Sequence, residues 1–237
     1  MSSLKKKVKT EDEINKCQLS EEFNLLQKAL HIMKKGYEVQ KKSVVSHMER
    51  YVEGDPEANK ELLPLVINSI PFWDTEFQCL FAQSLGKTIG NYPPKSHSQG
   101  CLNAANLNKS MVLCLDFVDN LNNDDVYMSW RETFPRLAYQ LNFYDGEETI
   151  EEDQQSTVLS NVVFPKIAEM TDRKQEKKRR LRGAQLVKDL MITQGSSIFL
   201  IAEHKKQFML LSQEMDFNYR AEMAEALGNV LCRKGEQ

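Results

Sequence analysis

The chain is short of the residues that build turn-rich sheets, membrane spans and disulfide frameworks. Ten glycines and seven prolines in 237 residues are too few for an all-β protein with many tight turns, so helices are favoured. No apolar run approaches the ~18 residues a membrane-spanning helix needs, and no membrane role is expected. The polar stretch from Met1 to Lys16 has no apolar segment of the secretory kind. The five cysteines, Cys17, Cys79, Cys101, Cys114 and Cys232, are scattered and odd in number, which fits a reduced compartment, cytoplasmic or also nuclear. Neither sign of charge dominates: 31 basic against 34 acidic side chains leave a net −3, which argues against a dedicated nucleic-acid binder.

What the chain does have is apolar residues at helical spacing. They make up 41% of the sequence, enough for a sizeable core. Phe23, Leu26, Leu30 and Met33 recur at three and four, then Gly36 stops the helix. Val39, Val44, Val45, Met48 and Val52 form a second stripe, closed by Gly54-Asp55-Pro56. The same plan of helix, turn, helix recurs, predicting five pairs over about 19–54, 58–91, 104–142, 157–193 and 196–232. Polar tails at 1–18 and 233–237 flank them, and a polar insertion runs from Pro93 to about Asn103. The expected turns within pairs are Pro71–Asp74, Asn122–Asp125, Thr171-Asp172 and Met215–Asn218.

The pairs share a register. Asp216 lies 142 positions after Asp74, and at the same offset Ala224, Leu227, Gly228 and Leu231 fall on Ala82, Leu85, Gly86 and Ile89. Leu85 and Leu227 are therefore expected in equivalent environments. Small residues on the second helix would let neighbours approach closely, and the turn aspartate would cap that helix. The first pair matches the second at an offset of 37, the third at 52, and the fourth at about 101, with Pro165 on Pro64.

The segments Leu63-Pro64…Asp74…Leu85-Gly86 and Asp216…Tyr219-Arg220…Leu227-Gly228 resemble the HEAT class of armadillo-like α-solenoids. The resemblance covers roughly Leu19 to Cys232. The segment Tyr219–Gly228 is most similar to the scaffold and regulatory subunits of type 2A-family Ser/Thr protein phosphatases. It implies an all-α, right-handed superhelix of about five repeats that binds other proteins, a Ser/Thr phosphatase catalytic subunit among the candidates. It further implies that turns within the repeats hold partners, which singles out Trp73, Asp74, Asn123, Asp124, Asp216 and Arg220. Trp130, a large aromatic near a turn, joins them as a candidate interface anchor.

Chemistry is sparse. Gly86-Lys87-Thr88 ends like a phosphate-binding loop, but the glycine required five positions before Gly86 is Phe81. His97 and Cys101 are four apart with no second ligand pair, so no metal site is expected. No Ser, Cys or Lys sits in a nucleophile context, so neither an enzyme nor a cofactor is expected. The strongest charge feature is the run of Arg173, Lys174, Lys177, Lys178, Arg179, Arg180 and Arg182, interrupted by one acid, Glu176. It is read first as a solvated turn and helix start, with the acidic segment Asp145–Asp153 as a candidate counterpart. The alternative is a site for nuclear transport or nucleic acid.

Overall fold

The structure, a computed structural model, describes residues 22–90, 102–147, 158–194 and 202–234. Most of those residues are helical, with no strand among them. Eleven α-helices follow one another: α1 (Leu25–Lys35), α2 (Glu38–Ser46), α3 (Met48–Gly54), α4 (Leu62–Ser69), α5 (Thr75–Gly90), α6 (Ala104–Asp119), α7 (Asp124–Glu147), α8 (Phe164–Thr171), α9 (Lys177–Gln194), α10 (Ala202–Ser212) and α11 (Phe217–Lys234). Short 3₁₀ turns at Pro56–Asn59 and Ile70–Phe72 and a π-turn at Leu159–Val163 adjoin α4 and α8.

Local chemistry sets the boundaries. Asn24 caps α1, accepting from the Gln27 N–H at 2.8 Å while the Gln27 side chain accepts from the Asn24 N–H. Gly36 ends α1, its N–H bonding the Ile32 carbonyl. The helix expected beyond it breaks in two at His47. There the Ser46 hydroxyl donates to the Ser43 carbonyl and the His47 ring nitrogen lies 2.8 Å from the same oxygen. Side chains thus compete for a carbonyl the backbone would use. Helix α7 runs through Pro135 and on to Glu147, so Asp145 to Glu147 are helical instead of loop. The rest of the expected acidic segment, the insertion from Pro93 through Cys101, and the tail at 1–18 lie outside the described residues.

The helices pack in two rows. One row is α2 and α3 on α5, α5 on α7, α7 on α9 and α9 on α11. The other carries α1 on α4, α4 on α6, and α8 on α10. Within pairs, α1 meets α2, α6 meets α7, α8 meets α9 and α10 meets α11. The core runs unbroken between the rows, from Leu26 to Val230. At its middle Trp130 is fully buried, stacked on Phe117 at 5.1 Å and edge-on to Phe81 at 5.9 Å. The nearby Cys114 thiol donates to the Trp130 carbonyl at 3.4 Å, and burial pushes its pKa up.

Leu85 and Leu227 do not sit alike. Leu85 is fully buried and Leu227 is 40% exposed. The cause is a neighbour. α7 lies on the side of α5 that holds Ala82, Leu85 and Gly86, whereas among the described residues no helix lies on the matching side of α11. Ala82, Gly86 and Ile89 are buried and their matches Ala224, Gly228 and Leu231 exposed for the same reason, while on the opposite face Phe77 and Tyr219, Phe81 and Met223, Ser84 and Ala226, and Thr88 and Val230 are all buried.

Candidate protein-binding edge

The turns within helix pairs are joined into one edge by side-chain contacts between successive turns. Lys42 on α2 pairs with Glu76 at the start of α5 at 2.5 Å. Asn123 donates to the Thr75 hydroxyl at 2.9 Å. Lys178 reaches Asp124 at 2.8 Å and the Leu121 carbonyl at 3.0 Å. Lys177 pairs with Asp216 at 2.7 Å, and Arg173 with Glu214 at 3.1 Å.

The basic run supplies most of this ladder, and the α-helical period divides its work. Lys178, Arg179 and Arg182 face back toward α6 and α7. Arg179 grips both oxygens of Asp119, at 2.6 and 2.7 Å, and also Glu169. Arg182, buried, donates to the Val118 and Asn120 carbonyls at 3.0 and 2.7 Å and to Asp124. Its guanidinium lies 4.0 Å from the Tyr127 ring centre. That one side chain satisfies carbonyls left free at the end of α6 and joins them to the start of α7. Lys177 and Arg180 face forward, Arg180 bonding Glu214 at 2.8 Å over the Tyr219 ring. Lys174 is exposed. The run is therefore engaged with Asp119, Asp124, Glu169, Glu214 and Asp216, and all of these lie outside the Asp145–Asp153 segment.

A parallel polar seam crosses α7, α9 and α11 deeper in. Arg131 forms a two-point pair with Asp189, at 2.7 and 3.1 Å, and Lys188 pairs with Glu222 and, at 3.1 Å, with Glu225. Burial pushes the Asp189 carboxyl up, and Arg131 pulls it back only in part.

The capping residues fall where the turns require them. Asp74 accepts the Phe77 N–H at 2.9 Å, Asn123 accepts the Asp125 and Val126 N–H groups at 3.1 Å, and Asp216 accepts the Asn218 N–H at 2.9 Å. Arg220 turns back to bond the Glu214 and Met215 carbonyls, both at 2.6 Å. Six of the seven residues singled out as protein-binding are thus at the turn edge. The seventh, Trp130, is a correction: with its ring enclosed by Phe81 and Phe117 it is core and presents nothing to a partner.

A groove of ≈ 340 Å³ opens on this edge between the first two pairs, lined by Glu38, Lys41, Phe72, Trp73, Asp74 and Phe77. Trp73 leans on Phe77 with ring centres 4.3 Å apart, and Lys42 sits 5.2 Å from the Phe77 ring centre. Phe72 is 87% exposed, and Val39 on α2 is also largely bare. A second groove, of ≈ 300 Å³, lies in the other row between α6 and the π-turn, with Val112, Leu115, Val162 and Pro165 on its walls and Lys166 and Glu169 at its rim. Pro165 has no N–H to return to the preceding turn, and the backbone widens there, Phe164 bonding the Leu159 carbonyl five residues back.

Sequence reasoning missed Phe72, Val39, Met215 and Phe217. A signal for Phe72 existed: Ile70, Pro71, Phe72 and Trp73 are four consecutive apolar residues, and a helix end cannot bury them all. His204 is buried against Phe164. Gly86 and Thr88 are likewise inside, Thr88 bonding the Ser84 carbonyl at 2.9 Å. His97 and Cys101 lie outside the described residues. Among the described residues no three His, Cys, Asp or Glu side chains converge, and no helix is long and apolar enough to cross a membrane. No family model, no curated protein and no solved structure matches the chain.

Proposed function

We propose that the chain is a non-catalytic scaffold or adaptor, an α-solenoid of about five HEAT-like units in a right-handed superhelix, which holds another protein along the turn edge. The carrying observation is the open groove beside Phe72. An exposed aromatic is flanked there by Trp73 and by charges of both signs, Lys41, Glu38 and Asp74. Interfaces concentrate their energy in such an apolar centre with a charged rim. The two rows of helices support the repeat reading, since each pair covers its neighbour's apolar face. The more specific assignment, a regulatory or scaffold subunit of a Ser/Thr phosphatase complex, rests on the resemblance carried by Tyr219–Gly228. The nucleic-acid alternative loses weight because the cations it would use are paired with carboxylates of the same chain.

The test is affinity capture with the intact chain and with a Phe72→Ser, Lys41→Glu variant, followed by mass spectrometry. Proteins held by the first and lost by the second support the scaffold reading, and a phosphatase catalytic subunit among them supports the specific one. Identical captures from both would refute the groove.

A further inference from the structure

Helix α11 repeats the sequence of a face that α5 keeps covered. On α5, Thr75, Ala82 and Gly86 meet the next pair, and Leu85 and Ile89 are buried beside them. Asn123 donates to Thr75, the Thr133 hydroxyl donates to the Ala82 carbonyl at 2.8 Å, and Arg136 donates to the Gly86 carbonyl at 2.5 Å. Trp130 closes the contact edge-on to Phe81. The fit depends on glycine: a Cβ on Gly86 would stand 3.2 Å from the Thr133 oxygen and 3.6 Å from Arg136. At the offset of 142 the same positions on α11 are Phe217, Ala224, Leu227, Gly228 and Leu231. All five are exposed, Phe217 by 69% and Leu231 by 60%, and a Cβ on Gly228 would meet nothing within 4 Å. The stripe runs roughly 20 Å along the helix at 1.5 Å per residue. It continues the row α5, α7, α9, α11 in the direction in which each earlier helix is covered by the next.

We infer that this face docks one amphipathic helix of another protein, a helix with the chemistry of α7. That chemistry is a bulky apolar residue, a hydroxyl residue three positions on, and an arginine three further, as in Trp130, Thr133 and Arg136. Ala224 and Gly228 leave room for the hydroxyl and the guanidinium to reach backbone carbonyls, and Leu227 and Leu231 supply the apolar area around them. A second copy of this chain does not supply the helix, because Trp130 and Thr133 are buried against α5 in every copy. The inference deepens the scaffold reading by adding a second contact surface and naming what it takes.

The probe is a fluorescent peptide of the α7 sequence, residues 124–141, held helical by a side-chain crosslink. It is titrated into the full chain and followed by anisotropy. Saturable binding is expected, weakened at least 10-fold by Leu227→Glu and by Gly228→Leu in the protein, and at least 5-fold by Arg136→Ala in the peptide. Gly228 is exposed with open space around it, so Gly228→Leu leaves the fold intact, which a melting temperature no lower than that of the wild type verifies. Absence of saturable binding overturns the inference. Equal affinity for the wild type and both α11 variants also overturns it, since the peptide would then be entering at α5. Self-association of the chain in sedimentation that Leu227→Glu abolishes would give the face to a second copy and overturn it as well. Partners captured through the Phe72 groove are independent of all three results, so the scaffold reading can stand where this inference fails.

Discussion

Two large aromatics, Phe72 and Trp130, mark the extremes of what one side chain contributes here. Trp130→Ala removes a fully enclosed ring between Phe81 and Phe117 and should cost about 3–5 kcal/mol in urea unfolding. Phe72→Ala takes away a ring already in water and should change stability by no more than about 0.5 kcal/mol. His204 gives a second residue-scale prediction. Burial holds its pKa down at about 4, against 6.5 for the free side chain. Between those values the unfolded chain binds a proton that the folded chain does not. Stability therefore falls as pH drops from 6.5 toward 4, by up to about 3 kcal/mol, and a His204→Gln variant should lack that slope.

Among the elements, α5 and α11 show how a shared pattern yields different outcomes. Gly86→Leu forces a side chain into the Thr133 and Arg136 contact and should destabilise by about 1–3 kcal/mol. Gly228→Ala, in open space on a helix, should stabilise by up to about 1 kcal/mol through helix propensity. Chemical denaturation of the two variants checks both signs. The helical periods, the Gly36 stop and the caps at Asp74, Asn123 and Asp216 were legible because each is decided within a few residues. The break at His47 depended on side chains competing for the Ser43 carbonyl, and the burial of Trp130 on helices distant in sequence, so periodicity alone could not place them. The groove beside Phe72 was half legible: Trp73 and Asp74 could be picked from the turn, while Lys41 and Glu38 reach it only through the packing of α2 on α5.

At the scale of the molecule, ionic contacts bind successive helix pairs, and acid should loosen them together. Burial pushes the carboxyls of Asp119 and Glu222 up, but Arg179 and Lys166 on the first, and Lys188 and Gln185 on the second, bring both below the usual carboxylate value. Hydrogen bonds from Lys178 and Arg182 lower Asp124, and those from Lys177 and the Asn218 N–H lower Asp216. A depressed carboxylate contributes stability that is fully present above its unfolded pKa of about 4 and is lost as pH falls through its folded one. Unfolding free energy should therefore drop on the acid side of pH 4, and the drop should be shallower in an Arg179→Gln, Lys166→Gln variant. The charges needed for this were visible in the sequence. Their partners were not, because the acids that meet the basic run come from α6, α7, α8 and the turn before α11, and only the fold brings them together.

The double-facing turn of α9 has a practical consequence. Trypsin cuts after arginine and lysine, and its densest group of targets in the described chain is here, yet Arg179, Arg180 and Arg182 are each held against a neighbouring helix pair. Cleavage at those three bonds requires the middle of the molecule to open first, so their digestion rate is a built-in clock for the parting of the two halves.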